Sequence, residues 1–305
     1  MELVNSIEEA GYITHSGTMH ADEVFATAFL DLYKGNIKVF RTTEISPDEY
    51  PDKIINDVGR GKFDHGQVDA RVRENGIKYC SLGLIWEEYG KEYLKQLNLD
   101  NIDELYLEVE KDLIEQIDAI DNGEFPKIEA RYKVKTLSDV FKLFNPSFKS
   151  NENSNDQFIK AVEVAKILFQ EEILSCNGKV IAKNLVLNKV KETDKKYIIL
   201  DEYMPYEDTI ITNEIANNIV FVIFPSNRGG YALKTIPKTS EDKSARCEIP
   251  SEWAGKTFKE LEEVTGIKDL LFCHIGRFII SSKTKEALIL AAEKMINEDK
   301  QQDLL

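Results

Sequence analysis

Short apolar runs alternate with helical patterns through the first 135 residues of the chain. Runs typical of buried strands occur at 12–14, 37–40 and 53–55. Apolar residues at helical spacing follow at 21–33, 81–97 and 104–120. Strands that alternate with helices predict an α/β fold with a mostly parallel sheet flanked by helices.

A polar segment over residues 145–156 interrupts this pattern. The helix after it is expected to continue, with interruptions, to about Val190, and Gly178 is its weak point. Farther on, the sequence predicts strands at 197–200, 220–224 and 231–236, and helices at 257–264 and 283–296. We therefore predict a first domain over 1–145, a helical connector over 146–192 and a smaller α+β domain over 193–305.

Histidine and aspartate recur in four successive loops, each of which follows an apolar run. The candidate side chains are His15, His20 and Asp22, then Asp57, then Asp64 and His65, and finally Asp118 and Asp121. Ligands of α/β sheets bind at the carboxyl ends of the strands, where we expect the candidate side chains to converge. Imidazole and carboxylate together suit Mn²⁺, Fe²⁺ or Zn²⁺. A carboxylate shared by two such ions is an arrangement that hydrolyses phosphate esters.

Each of these residues also has a structural interpretation. One histidine could cap the helix that follows it, and Asp57 could be a turn residue before Gly59. In the last loop, either Asp118 or Asp121 could be the ligand. The recurrence of the same residue types in four loops favours a metal site.

Charge restricts the classes of partner. The chain has 305 residues, 42% of them apolar, and a net charge of −15. Binding to nucleic acid normally requires a cationic surface, so long duplex DNA is excluded as a partner. A short or single-stranded phosphodiester at a pocket neutralised by metal ions remains compatible with this charge.

Cellular location is inferred from the apolar runs and the cysteines. The longest apolar run, near 219–224, is too short to span a bilayer. The first nine residues are acidic and contain no apolar signal core. The four cysteines are far apart, with no Cys-x-x-Cys pair, which predicts reduced and mostly buried thiols. We expect a cytoplasmic protein with no membrane partner, and the sequence leaves a homo-oligomer open.

The motifs together carry a resemblance. They are His-x4-His-x-Asp from His15, Asp-Val-Gly from Asp57, Asp-His-x-Gln from Asp64, and Asp-Ala-Ile-Asp-Asn-Gly from Asp118. This set resembles the melanocyte-proliferating-gene family, a branch of the DHH phosphoesterase superfamily. The resemblance continues at 81–86, 249–253, 258–266, 272–278 and 283–288, so it covers nearly the whole chain.

The resemblance implies a DHH-like catalytic domain and a phosphodiesterase, with 3′–5′ exonuclease activity on short RNA or oligonucleotides. It implies two divalent ions, expected to be Mn²⁺, which activate a water nucleophile. One ion would be held by His15, His20 and Asp57. The other would be held by Asp22, Asp57, His65 and Asp121. Asp57 would bridge the two ions, and Asp64 would orient the ring of His65.

One position departs from the family's pattern. Relatives have two consecutive histidines where this chain has His65 and Gly66. The second histidine contacts the scissile phosphate and helps to protonate the leaving group, which neither Gly66 nor Gln67 can do near neutral pH. Loss of one acid catalyst costs about 10²–10⁴-fold in rate. Either His274 or a water on the metal ions could substitute; otherwise the protein would be slow or a metal-dependent binder.

The second half contains two segments that suit phosphate binding. One joins Arg228 to Gly229 and Gly230, and the other contains His274, Arg277 and Phe278. Arginine grips phosphate with two hydrogen bonds, and an aromatic ring can stack on a base. The alternative for both segments is a turn with a surface arginine. By resemblance, they belong to a substrate-binding domain, whereas Arg71 and Arg73 are interpreted as solvated charges.

Two rival functions remain. An inorganic pyrophosphatase would require clustered lysine and arginine around the metals, and the ring of Phe278 argues against it. A catalytically weak, nucleotide-binding regulator is favoured by Gly66.

Overall fold

The computed structural model describes residues 1–66 and 71–302, except for the side chains of 300–302. Gln67, which was considered above as a proton donor, lies outside the described residues. The chain forms two compact units, Met1–Val180 and Ile181–Leu305. 

The first unit contains a four-stranded sheet in the order β1-β3-β2-β4, and all of its pairings are parallel. Its strands are β1 (Glu2–Leu3), β2 (Tyr12–His15), β3 (Lys38–Thr42) and β4 (Ile54–Asn56). Its helices are α1 (Ala21–Lys34), α2 (Ser81–Gln96), α3 (Ile102–Val109), α4 (Glu115–Asp121) and α5 (Leu137–Phe141), with a π-helical segment (Glu110–Ile114) that joins α3 to α4. The predicted α/β unit with a parallel sheet is confirmed.

The core of the first unit is built around α1. Its apolar residues are buried on nearly every side, because α2 and the long helix α6 (Ser154–Glu192) supply aromatic rings to the same cluster. Phe29 has its ring centroid 5.4 Å from that of Trp86 and 5.5 Å from that of Phe169. This packing fixes the start of α1. The predicted ligands His20 and Asp22 lie at this end of the helix, together with Glu23.

Helix α6 is continuous over 39 residues. The predicted interruptions are therefore wrong, and Gly178 is accommodated inside the helix. A glycine in a helix costs about 1 kcal/mol relative to alanine, which is small beside the burial of one face of so long a helix.

The second unit contains a five-stranded mixed sheet in the order β5-β6-β7-β9-β8. Its strands are β5 (Tyr197–Ile199), β6 (Phe221–Pro225), β7 (Tyr231–Thr235), β8 (Leu270–Cys273) and β9 (Ile279–Ser282). Its helices are α7 (Glu207–Thr212), α8 (Phe258–Thr265) and α9 (Lys285–Gln302). The predicted mixture of strands and helices is confirmed, but β8 and β9 were missed. Both are four residues long and only partly buried, so their apolar pattern is weak.

All four cysteines are buried and none forms a disulfide, as the sequence predicted. No helix in the described part of the chain combines the length and the apolar character that crossing a bilayer requires.

Candidate metal centre

Two neighbouring strands bring three predicted ligands together. His15 is the last residue of β2, and Asp57 directly follows β4, which pairs with β2. His65 follows Phe63, which forms a parallel bridge with Asn56. The Nε2 atoms of His15 and His65 lie 3.2 Å and 3.3 Å from the carboxylate oxygens of Asp57. Asp57 therefore lies between two imidazoles at the carboxyl edge of the sheet.

The backbone of Asp57 holds its side chain in this position. Its φ of 55° lies in the left-handed region, which a residue with a side chain rarely adopts. The backbone N–H of Asp57 donates to the carbonyl oxygen of Phe63 at 3.1 Å. Such local strain is typical of functional sites, where the surrounding structure maintains it.

The turn from β2 into α1 supplies His20 and Glu23. The backbone N–H of His20 donates to the Glu23 carboxylate at 2.9 Å, which caps the first turn of α1. Glu23 is fully buried, and its Oε1 lies 3.2 Å from His15 Nε2. The ring of His20 is half exposed, and its Nδ1 lies 3.9 Å from Asp121 Oδ1. The sequence interpretation missed Glu23, since an acid three residues after a helix cap is ordinarily a capping residue.

Asp22 is fully buried in the first turn of α1 and faces the start of α2. Its carboxylate accepts the backbone N–H groups of Ser81 at 3.1 Å and of Leu82 at 2.6 Å. The Cys80 thiol lies 2.6 Å from the same carboxylate. Backbone donors at the start of a helix stabilise an anion, so they fix both the position and the orientation of Asp22.

The structure separates the two candidate aspartates of α4. Asp121 Oδ2 lies 3.1 Å from His65 Nε2. Asp118 is fully buried and instead faces the guanidinium of Arg73 at 2.7 Å and the thiol of Cys80 at 2.5 Å. By position, Asp121 belongs with the other candidate ligands, whereas Asp118 is in contact with Arg73 and Cys80.

Arg73 is not the solvated charge that the sequence suggested. Its guanidinium is buried, and it pairs with Glu110 at 2.7 Å as well as with Asp118. The interpretation was wrong because both partners are distant in the sequence, where no local pattern reveals them. Gly83 allows this close approach, since a Cβ there would lie 2.0 Å from Asp118 Oδ2. Arg71 is exposed, as interpreted.

Asp64 shapes the loop around His65. Its two carboxylate oxygens accept the backbone N–H groups of Arg60 at 2.7 Å and of Gly66 at 2.8 Å. The expected bond from Asp64 to the ring of His65 is not among the hydrogen bonds of the described residues, and both oxygens bond to the backbone instead. Gly66 does not have a positive φ, and a Cβ there would lie 3.1 Å from Asp64 Oδ1.

The electrostatics of the cluster show a shortage of positive charge. Burial lowers the pKa of His15, but contacts with Asp57 and Glu23 outweigh it and raise that pKa to about 11. Contacts with Asp121 and Asp57 raise the pKa of His65 to about 11. Without metal, both rings therefore hold a proton between carboxylates.

The pKa of Asp22 is raised as well, which for a carboxyl group favours the neutral form. Burial, and then the negative charges of Asp57 and Asp121, raise its pKa well above the usual range. Each additional carboxylate in the cluster thus makes the next one harder to ionise. A divalent cation would reverse this effect for all of them at once.

Two groups of donor atoms could each hold a metal ion. Ligand atoms of one group all lie within 4.8 Å of one another, and the group consists of His15, His20, Glu23 and Asp57. A second group satisfies the same limit and consists of Asp22, Asp57 and His65. Asp57 belongs to both groups. Mixed imidazole and carboxylate donors of this kind suit Mn²⁺, Fe²⁺ and Zn²⁺.

A cavity of about 530 Å³ opens onto these groups. Five candidate ligands line it, namely His15, His20, Asp57, His65 and Asp121. Phe125 and Lys142 also line it, and Lys142 is the only lysine or arginine among the described residues of its wall. Sequence reasoning missed both residues, since neither belongs to a histidine or aspartate motif. The cavity therefore places an aromatic ring and an ammonium group beside the charged candidate ligands.

The second unit has its own cavity, of about 550 Å³. Arg228, Gly229 and His274 line it, together with the partly exposed rings of Tyr203, Phe272 and Phe278. The Nδ1 atom of His274 accepts the backbone N–H of Gly276 at 2.9 Å, so Nε2 is the nitrogen that carries a proton in the neutral ring. These groups can stack on a planar ligand and donate to an anion.

Two residues of the predicted substrate set lie elsewhere in this unit. The Arg277 guanidinium is 2.9 Å from a carboxylate oxygen of Glu248 and donates to the carbonyl oxygen of Ile249 at 3.0 Å. Gly230 has a φ of 67°, and a Cβ there would lie 2.1 Å from the carbonyl oxygen of Ser282. Gly230 is therefore required by the packing of the sheet, and the cavity gathers only Arg228, Gly229 and His274.

The chain is similar to known proteins over nearly its whole length. The family model MYG1_exonuc, described as "Uncharacterised protein family (UPF0160)", matches residues 12–296. The chain is 31% identical to "MYG1 protein" of Dictyostelium discoideum, over 93% of this chain and 96% of that protein. It is 28% identical to "MYG1 protein YER156C" of Saccharomyces cerevisiae, over 93% and 95% of the two chains. It is 26% identical to "MYG1 exonuclease" of Homo sapiens, over 92% and 84%.

No solved structure gives a significant match. The matched region begins at the first residue of β2 and ends inside α9, so it contains every candidate ligand and both cavities. The resemblance inferred from the sequence motifs therefore holds for the chain as a whole, and the chain belongs to the MYG1 family, uncharacterised protein family UPF0160.

Proposed function

We propose that the chain is a metal-dependent phosphodiesterase, a 3′–5′ exonuclease that acts on short RNA or oligonucleotides. The observation that carries this proposal is the place of Asp57 in two adjoining groups of ligand atoms. A shared carboxylate is the basis of two-metal phosphoester hydrolysis. The name "MYG1 exonuclease" of the human and bovine relatives supports a nuclease activity.

The assignment of the ligands follows the two groups, and Asp121 is added because its Oδ2 lies 3.1 Å from His65 Nε2. His15, His20 and Asp57 would hold one ion, with Glu23 as an additional carboxylate beside it. The other ion would be held by Asp22, Asp57, His65 and Asp121. We expect Mn²⁺ at both places. When bound, the ions lower the pKa of a water molecule and neutralise charge on the phosphate.

The residues of the chain position these ligands and the substrate. Backbone donors of α2 orient Asp22, and Asp64 holds the loop that presents His65. Lys142 can pair with a phosphate oxygen in the cavity, and the ring of Phe125 covers the adjoining wall. The transition state of phosphoryl transfer is stabilised mainly by charged groups that are already in position. The orientation of these residues therefore accounts for much of the catalysis.

The cavity wall argues against the first rival function, an inorganic pyrophosphatase, but not against the second. An inorganic pyrophosphatase would need clustered lysine and arginine in the wall, and Lys142 is the only such residue among those described there. A weak, nucleotide-binding regulator remains the second candidate, because Gly66 offers no proton to a leaving group. It differs from the first candidate only in turnover.

The test uses purified protein that is stripped with a chelator and then reloaded with Mn²⁺. Short single-stranded RNA labelled at its 5′ end should shorten progressively, and RNA labelled at its 3′ end should release labelled mononucleotide first. The exposed Asp103→Asn variant is the control for a carboxamide substitution away from the cavity. It should retain activity, whereas Asp57→Asn should lose it.

Protein that is loaded with metal but leaves both RNAs intact would contradict the enzyme and favour the regulator. Shortening from the 5′ end would contradict the proposed polarity while supporting the nuclease.

A further inference from the structure

A segment of irregular backbone follows the candidate ligand Asp121 and has no part in holding metal. Residues 123–135 form neither helix nor strand, and all thirteen are exposed. We call them the basic loop. They carry four cations and two carboxylates, for a net charge of +2 in a chain whose net charge is −15. This local reversal of sign requires an explanation.

The cations of the basic loop are available to a ligand. They are Lys127, Arg131, Lys133 and Lys135. None of the four forms an ion pair with a carboxylate in the described part of the chain, where other lysines and arginines do. Unpaired cations in a row attract a polyanion and release the counterions that surround it.

Large apolar side chains alternate with these cations. Phe125 is 66% exposed, Ile128 53% and Tyr132 77%. Exposed rings interleaved with cations are the arrangement by which proteins bind single-stranded nucleic acid, since bases stack on the rings while cations contact phosphates.

Both ends of the basic loop are anchored at the metal cavity. At its start, Gly123 and Phe125 line the cavity, and beyond its end Ser138 and Lys142 line the same cavity. The Asn122 side chain donates to the carbonyl oxygens of Tyr79 and Asp118, which fixes the start of the loop. The loop therefore leaves the cavity wall and returns to it.

The end of the loop is fixed as firmly. The Thr136 hydroxyl accepts the backbone N–H of Asp139, and the Asp139 carboxylate accepts the backbone N–H of Thr136, which caps α5. Beyond α5, the side chain of Asn145 donates to the carbonyl oxygen of Met19 and accepts its backbone N–H. These bonds tie the loop to the turn that carries His20.

We propose that the basic loop binds the single-stranded nucleic-acid chain that extends from the metal centre. This inference rests on the proposed nuclease function and adds the surface that recognises the rest of the substrate. Phe125 stacks on the nucleotide nearest the metals, Tyr132 stacks on one farther along, and the four cations contact the intervening phosphates. Affinity for an oligonucleotide then depends on the basic loop and rises with the length of the oligonucleotide. Affinity for a single phosphodiester does not depend on the loop.

The experiment compares two substrates with the full-length protein loaded with Mn²⁺. One is an oligouridylate of about ten nucleotides, a length within the range of single-strand sites. The other is the p-nitrophenyl ester of thymidine monophosphate. The loop variant is Arg131→Gln, Lys133→Gln and Lys135→Gln combined. Its matched control is Lys38→Gln, Lys95→Gln and Lys111→Gln, which removes three exposed cations from the same unit.

The loop variant should lower the ratio of kcat/KM for the oligouridylate to that for the ester by about tenfold, mainly through KM. The slope of log affinity against log salt should fall by about two, since each phosphate contact contributes about 0.7 for a single strand. The control variant should leave both quantities at their original values. Tyr132→Ala should lower the same ratio by about tenfold, and Tyr132→Phe should not, because the phenyl ring still stacks.

Equal ratios for the loop variant and the original protein would overturn the inference, as would an equal fall in the control variant. An oligoglutamate that competed as well as the oligouridylate would also overturn it, because the loop would then bind acidic chains in general. Failure of the proposed function is distinguishable. In that case neither substrate is hydrolysed, and fluorescence anisotropy of the labelled oligouridylate still reports whether binding depends on the loop.

Discussion

Two acidic clusters lie side by side in the first unit, and they differ in how their charge is balanced. In the closed cluster, Asp118 is buried against the guanidinium of Arg73 and the thiol of Cys80. In the open cluster, Asp57 lies between His15 and a second histidine and faces a cavity. The closed cluster carries its own permanent cation. The open cluster has only imidazoles, which lose their charge when they become ligands.

This difference teaches how to separate structural from functional carboxylates. A buried carboxylate is costly unless it is paired and hydrogen-bonded. Asp118 meets that condition within the protein, so it needs no ion from outside. Asp57 meets it only with protons on both neighbouring rings, and a divalent ion can take their place. Asp22 joins the two clusters, since the Cys80 thiol lies between it and Asp118.

The largest expected effect comes from removing the cation of the closed cluster. Arg73→Met should lower the free energy of unfolding by about 3–5 kcal/mol, because it leaves the Asp118 carboxylate buried without its cation. Chemical denaturation of the metal-free protein measures this change. The double variant Arg73→Met with Asp118→Asn removes both charges and should recover much of the loss. If Arg73→Met is as stable as the original protein, the closed cluster is not an ion pair that supports the fold.

Metal binding at the open cluster should depend on pH. The pKa values of His15 and His65 are raised to about 11, so both rings are protonated at neutral pH in the metal-free protein. A metal ion must displace these protons, so its affinity should increase as pH rises. We expect about tenfold per pH unit for each displaced proton between about pH 6 and 8. Calorimetric titration with Mn²⁺ in buffers of different ionisation enthalpy measures both affinity and proton release.

An affinity that is constant over this range, with no proton released, would show that the ion binds elsewhere. Binding to exposed carboxylates alone would give that result, because those groups are already ionised at these pH values.

The open cluster was largely accessible from the sequence, and the closed cluster was not. His15 and Asp57 follow apolar runs that are recognisable as strands, and the rule that ligands gather at strand ends places them together. Arg73, Cys80 and Glu110 have no such signal. Arg73 and Cys80 contact Asp118, and Glu110 pairs with Arg73. These contacts join segments that are distant in the sequence, and such packing leaves no local pattern.

The fold shows the same division. The parallel sheet of the first unit followed from alternation of apolar runs and helical stripes. Strands β8 and β9 did not, since each is four residues long and only partly buried. The side chain of Glu23 both caps α1 and contacts His15, and the sequence pattern indicates only the capping role. Phe125 and Lys142 belong to no sequence motif, and only the fold brings them into the cavity wall.

A similar contrast between paired and unpaired cations occurs in the second unit. Arg277 is already bound to Glu248, whereas Arg228 lines the cavity and forms no ion pair among the described residues. Arg228→Ala should raise KM for short RNA by about tenfold, the loss expected for one phosphate contact. Arg277→Ala should leave KM nearly unchanged. Metal content should be the same in both variants.

Steady-state kinetics with a labelled short RNA decide between the two arginines. A larger increase in KM for Arg277→Ala than for Arg228→Ala would contradict the assignment of the cavity.

The smallest effect concerns the loop of the open cluster. Gly66→His should raise kcat by about fivefold to tenfold, because it supplies a proton donor beside the leaving group. The gain is limited because a Cβ at Gly66 would lie 3.1 Å from Asp64 Oδ1, so that carboxylate must shift. The backbone itself permits the substitution, since φ is not positive. KM should change less than kcat.

Gly66→Ala is the control, since it adds the same Cβ without the imidazole, and it should not raise kcat. If Gly66→His keeps both metals but is no faster, another group already protonates the leaving oxygen.

Elemental analysis of Asp57→Asn tests the central claim most directly. Asp57 belongs to both groups of ligand atoms, so its loss should remove metal from both places. After reconstitution with Mn²⁺, we expect about two ions per original chain and far fewer in Asp57→Asn, with affinity lowered by more than about 10²-fold. The exposed Asp103→Asn control should match the original protein. No metal in the original protein after reconstitution with Mn²⁺ and Zn²⁺, or full metal content in Asp57→Asn, would contradict the account.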